Sequence, residues 1–165
     1  MKHLTILLFF FFALSLQVEA QKSIPSVTVK TLDGQTLDLK KYIAGLNKTV
    51  IIDFWATWCS PCKKELDYIM DYYEEWQANY NVELIAITID NQRALPKVPA
   101  MVESKGWTYT ILSGNEEAMR NAFNFQTIPQ TLVATKDGTI IFEHNGYVPG
   151  DEEELEKVVA KAAGK

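Results

Sequence analysis

The sequence predicts an α/β domain whose mixed central sheet is covered by helices. Three observations carry that prediction. Strand-like and helix-like stretches alternate after residue 27, Val50–Trp55 is almost continuously apolar, and the chain closes with an antiparallel hairpin followed by an amphipathic helix. With 165 residues, 47% hydrophobic and 22% charged, the chain is long enough for one domain with an adequate core. The net charge of -5, with both signs interspersed, gives no basic patch for a nucleic-acid partner.

Met1–His3 is a short basic start, Leu4–Leu16 is an apolar run with four consecutive Phe, and Val18-Glu19-Ala20 resembles a small-x-small cleavage site. Residues 1–20 therefore read as a secretory signal peptide, and 21–165 as the exported domain. A bilayer span needs about 20 apolar residues, and Gln17 and Glu19 interrupt this one, so an uncleaved membrane anchor is the alternative. The only cysteines are Cys59 and Cys62, so no lipid-attachment cysteine lies near the cleavage site.

Val27, Val29 and Leu32, the Asp33-Gly34 pair, then Leu37 and Leu39 read as a hairpin, because Asp-Gly supplies the positive φ of a tight turn. Val50–Trp55 has the pattern of a strand buried on both faces in a parallel sheet. From Pro61 to Tyr80, Leu66, Ile69, Tyr73, Trp76 and Tyr80 recur at helical spacing, and Val82–Ile89 reads as a second buried strand. Arg93–Gly106 is expected to be helical, with Pro96 and Pro99 in or before its first turn, and Tyr109–Leu112 to be a short strand. Glu116–Phe123 reads as a helix, Thr131–Thr135 and Thr139–Glu143 as a hairpin around Asp137-Gly138, and Asp151–Ala163 as a helix whose early acids suit its dipole.

A core of this size does not require cysteines, so the pair calls for another explanation. Trp58-Cys59-Ser60-Pro61-Cys62 falls where the first buried strand turns into the long helix. Unpaired N–H groups and the macrodipole at a helix start stabilise an anion, which lowers a cysteine pKa from about 8.5 into roughly the 3.5–7.5 range. The two-residue gap lets Cys62 approach Cys59 and resolve a mixed disulfide. A purely structural disulfide would close too short a loop to constrain the unfolded chain much. A zinc site would need about four N or S ligands, and beyond residue 20 the chain offers two Cys and His144 alone.

The stretch Val50-Ile51-Ile52-Asp53-Phe54-Trp55-Ala56-Thr57-Trp58-Cys59-Ser60-Pro61-Cys62-Lys63-Lys64-Glu65 resembles the active-site strand and helix of the thioredoxin superfamily. Thr127-Ile128-Pro129-Gln130-Thr131, followed by a hairpin, is similar to that family's cis-proline loop. The N-terminal hairpin and the helix and strand inserted between Arg93 and Leu112 are similar to the extracytoplasmic TlpA/ResA-like branch. Asp67 stands where such helices often have Pro, and Gln130 where thioredoxin has Thr.

The resemblance implies a thioredoxin-like fold and a redox-active Cys59–Cys62 disulfide, with Cys59 attacking and Cys62 resolving. It implies that Asp53 and Glu65 are buried acids that move protons. Burial alone would raise the pKa of an acid in an apolar strand; satisfaction by local hydrogen bonds is the other reading of Asp53, and a solvent-facing first-turn acid the other reading of Glu65. Pro129 is implied to be cis and, with Trp58 and Ile128, to shape a substrate-docking surface. The implied activity is thiol–disulfide oxidoreduction in the periplasm, contributing to cell redox homeostasis or antioxidant defence. No cofactor is needed, because the dithiol carries the two electrons. The implied partners are protein disulfides, with apocytochrome c among them, and a membrane thiol electron donor of the DsbD/CcdA type, the protein acting as a monomer. Two alternatives remain: a thiol peroxidase of the peroxiredoxin or glutathione-peroxidase type, and a noncatalytic binding module with a static disulfide.

Overall fold

The computed structural model describes residues 21–165, so the signal peptide expected at 1–20 lies outside the described residues. Seven strands form one mixed sheet in the order β2-β1-β5-β4-β3-β6-β7. Its parallel centre is β3 (Thr49–Trp55), β4 (Val82–Thr88) and β5 (Thr110–Gly114). On one side β1 (Thr28–Thr31) runs antiparallel to β5 and pairs with β2 (Thr36–Asp38). On the other, β6 (Gln130–Ala134) runs antiparallel to β3 and turns into β7 (Ile140–Asn145). Every residue of β3 is buried, as its Val-Ile run requires of a strand covered on both faces.

The long helix α2 (Ser60–Tyr80) buries Cys62, Glu65, Leu66, Ile69, Tyr73 and Trp76 along one stripe and packs on the C-terminal helix α5 (Asp151–Ala162). The remaining helices are α1 (Leu39–Leu46), α3 (Val98–Lys105) and α4 (Glu116–Phe123). No helix among the described residues is long and apolar enough to cross a membrane.

Two local readings are corrected. Leu39 does not end the first hairpin but starts α1, because Asp38 Oδ1 accepts the Lys41 N–H at 2.8 Å and Leu39 and Ile43, one turn apart, both enter the core. The Arg93–Gly106 helix is divided. Asn91 Oδ1 accepts the N–H groups of Arg93 and Ala94, a 3-10 turn covers Leu95–Lys97, and α3 follows with Pro99 in its first turn. The early prolines thus shorten the helix at its start, where Pro is tolerated.

The segment just past residue 20 is pinned to β7. Ile24 N–H donates to the Gly138 carbonyl at 2.9 Å, Ile140 N–H donates to the Lys22 carbonyl at 2.8 Å, and the Ile24 side chain is buried.

Candidate active site

The parallel strand β3 delivers the chain to the end of the sheet at Trp55, and Cys59 N–H closes a turn on the Ala56 carbonyl at 3.0 Å. Cys59 is the N-cap of α2 and its sulfur accepts the Cys62 N–H at 3.3 Å. Cys59 and Cys62 are joined by a disulfide with their Cα atoms 5.4 Å apart. Cys62 is fully buried, whereas Cys59 keeps a small solvent-facing area and is the sulfur nearer the surface. A thiolate at Cys59 would stand among the unpaired N–H groups that open the helix.

The loop before the cysteines is held from behind by Asp90. Its carboxylate accepts the Thr57 N–H at 2.8 Å, the Thr57 hydroxyl at 2.8 Å and the Thr88 hydroxyl at 2.6 Å. Lys63 Nζ donates to the Thr57 carbonyl at 2.8 Å.

Asp53, in the middle of β3, is fully buried, and Glu65, one turn after Cys62 on α2, is almost so. The structure brings these two acids together through Thr131, the cross-strand partner of Asp53 on β6. Thr131 Oγ1 lies 2.6 Å from Glu65 Oε1 and 3.2 Å from Asp53 Oδ2. Glu65 is therefore not a solvent-facing first-turn acid. Burial pushes both carboxyl groups above the ordinary carboxylate range; hydrogen bonding to Thr131 opposes the shift at each, and the Asp53 charge raises Glu65 further.

The register pairing Phe54 with Gln130 sets the start of β6 beside the end of β3, so the preceding Ile128–Pro129 segment sits next to the cysteine loop. The Ile128–Pro129 peptide bond is cis. The Pro129 carbonyl accepts the Gly146 N–H at 2.8 Å, and Asn145 Nδ2 donates to the Thr127 carbonyl at 3.0 Å. Pro129 is buried, Ile128 is half-buried, and Trp58 is 59% exposed.

Sequence reasoning missed Thr131, Asp90 and Asn145. Asp90 follows β4 at the level where Trp55 pairs with Thr88, and Thr131 faces Asp53 across a β3–β6 pair. Both follow from strand register, which one sequence does not display.

A C-x-x-C disulfide at the start of a helix, fed by a buried strand and neighboured by a cis-proline loop on a thioredoxin-like sheet, defines a thiol–disulfide oxidoreductase of the thioredoxin type. The chain belongs to the AhpC/TSA family, whose model matches residues 20–143. It is 28% identical over 151 residues to the thiol-disulfide oxidoreductase ResA of Bacillus cereus, a match covering 92% of this chain and 83% of that protein. Among solved structures it resembles an uncharacterized thioredoxin-like protein from Porphyromonas gingivalis, with a TM-score of 0.74, 33% identity, and coverage of 86% of this chain and 92% of that one. A thiol:disulfide interchange protein from Chlorobium tepidum superposes with a TM-score of 0.68 at 26% identity, over 87% of this chain and 97% of that one.

Proposed function

We propose that this chain, exported and freed of residues 1–20, works outside the cytoplasm as residues 21–165 and reduces disulfides in protein substrates. The observation that carries the reading is the Cys59–Cys62 pair at the start of α2, one sulfur near the surface and the other buried one turn from a buried carboxyl. In the reduced protein the Cys59 thiolate attacks one sulfur of a substrate disulfide. A Cys59–substrate bond forms, the substrate S–S bond breaks, and the departing sulfur takes a proton. Cys62 then gives up its proton, attacks Cys59 and releases the second substrate sulfur. The chain is left oxidised and the substrate has gained two electrons.

In this reading Asp53 takes the Cys62 proton, with Glu65 supporting it, because a carboxyl raised toward neutrality can accept and return a proton near working pH. Ile128, beside the cysteine loop, offers its backbone to an extended substrate segment; Pro129, with no N–H and its carbonyl bonded to Gly146, holds the loop in shape, and the exposed Trp58 ring covers the segment. Apocytochrome c fits as a substrate in this reading, and a membrane thiol donor of the DsbD/CcdA type would return the chain to its dithiol form.

Turnover of a protein disulfide is expected to disappear in Cys59→Ser, while Cys62→Ser accumulates a mixed disulfide separable by non-reducing electrophoresis. Undiminished turnover in Cys59→Ser would overturn the reading. The reduction potential of the couple decides direction: a value well below about -200 mV marks a reductant, and one near that of DsbA, about -120 mV, marks an oxidant.

A further inference from the structure

Thr131 has one hydroxyl proton and two carboxyl neighbours. Its Oγ1 lies 2.6 Å from Glu65 Oε1 and 3.2 Å from Asp53 Oδ2, and all three residues are buried. A hydroxyl can donate to only one of the two. Were both carboxyls ionised, the other contact would set oxygen lone pairs against each other among buried side chains. The geometry is satisfied when one carboxyl carries a proton and donates it to Thr131 Oγ1 while Thr131 donates to the other. Among the described residues, Thr131 is the one side chain hydrogen-bonded to both acids.

The two acids also have different outlooks. Glu65 and Thr131 line a cleft between β7 and α5 whose walls include His144, Tyr147 and Asp151, whereas Asp53 does not reach it. Asp53 Oδ1 and Glu65 Oε2 each lack a donor, and the two carboxyl groups are close enough to share a hydrogen bond directly once one of them is protonated. The other titratable groups at the cleft come from β7, the loop after it and α5, and the Asp151 charge among them adds to the rise at Glu65. His144 Nε2 is 3.1 Å from Asp151 Oδ2, Tyr147 donates to Glu152 at 3.1 Å, and Glu154 lies at the α5 side of the cleft. Behind Asp53, the Tyr109 hydroxyl is held neutral by burial and donates to the Leu66 carbonyl.

We propose that Thr131 couples Asp53 and Glu65 into a single unit sharing one acidic proton, with Asp53 as its inner end and Glu65 as the end that exchanges with solvent through the cleft. The inference rests on the proton-accepting role of Asp53 proposed above. At rest Glu65 is protonated and donates to Thr131, which donates to the Asp53 carboxylate. When Cys62 is deprotonated its S–H bond breaks and an O–H bond forms on Asp53. Glu65 then releases its proton to water in the cleft. Thr131 passes its hydroxyl proton to Glu65 while taking the one on Asp53, and the resting arrangement returns. One proton has moved from Cys62 to solvent, and no electron has moved. Thr131 is thus a positioning residue, acting through the two acids.

The test is a carboxyl carbon-13 NMR titration of the oxidised protein, labelled at Asp and Glu, in wild type, Thr131→Val and Thr131→Ser. In wild type the Asp53 and Glu65 signals are each expected to respond to both of two titration steps, as strongly interacting groups do. Thr131→Val should change the separation of those steps by about one to two pH units, the size of one hydrogen bond to a charged group, and Thr131→Ser should restore it. Signals that titrate once each and independently, or curves unmoved by Thr131→Val, would overturn the proposal. So would a wild-type spectrum with both carboxyls ionised at pH 7. The oxidised protein has no thiol, so this result stands apart from the Cys59 and Cys62 variants that test the redox reading.

Discussion

Glu65 ends up with its surroundings opposed to its charge, and that opposition has a measurable direction. Both Asp53 and Glu65 have folded-state pKa values raised above those of the unfolded chain, chiefly by burial. The folded protein therefore binds more protons than the unfolded one once the pH exceeds the ordinary carboxyl range of about 4. Their contribution to stability is complete below that range and is lost as pH rises through the raised values. Urea unfolding of the oxidised protein should show stability falling between pH 5 and pH 9, by at most about 1.4 kcal/mol per pH unit for each such group. Glu65→Gln, which keeps a hydrogen-bonding amide beside Thr131, should flatten that slope; a slope as steep as wild type would contradict it. Asp90 makes a different prediction. Truncation in Asp90→Ala leaves the Thr57 N–H and two hydroxyls without their acceptor, so it should cost about 2–3 kcal/mol. Because Thr57 stands two residues before Cys59, turnover should also fall about tenfold or more in a disulfide-reduction assay. The cysteines and Asp53 stood out in the sequence because a C-x-x-C at a strand-to-helix turn and an acid inside an apolar strand are local patterns, whereas Glu65 could equally have faced solvent from the first turn of its helix. Thr131 and Asp90 did not stand out, because each acts across 33 or more positions of chain through a pairing that only the folded sheet defines.

Elements were read well where one period dominated. The apolar run of β3 and the stripe of α2 left little choice, and the structure departs from them only at their ends. The miss at α1 has a plain cause. Leu37 and Leu39 alternate as a strand would, and only the Asp38 cap and the burial of Ile43 select a helix from Leu39 onward. The α3–β5 segment is joined to the cysteine-bearing helix through Asp67, which accepts the Trp107 indole N–H at 3.0 Å and pairs with Lys105. Asp67 stands where the resembled helices often have Pro, and its carboxylate is what ties this helix to that segment. Asp67→Ala should leave the Trp107 N–H without its acceptor and lower stability by about 1–2 kcal/mol in chemical denaturation. The Lys105 half of the contact, being partly exposed, should add little.

At the scale of the molecule, the sheet has two outer strands, and they are treated differently. β2 is only three residues long and leads directly into α1. β7 is longer, and its start is occupied by Lys22–Ile24, with Lys22 also paired to Glu143. Ile24→Ala should cost about 2–4 kcal/mol, as a buried aliphatic side chain is removed from a filled core, and thermal melts can read it. Deleting residues 21–24 as well would uncover backbone N–H and C=O groups at one end of β7, next to the exposed Ile141. A bare strand edge beside apolar surface is a template on which a second chain can add. Lys22–Ile24 thus cover one end of that edge, and a protein trimmed to begin at Pro25 should precipitate at concentrations where one beginning at Gln21 stays in solution.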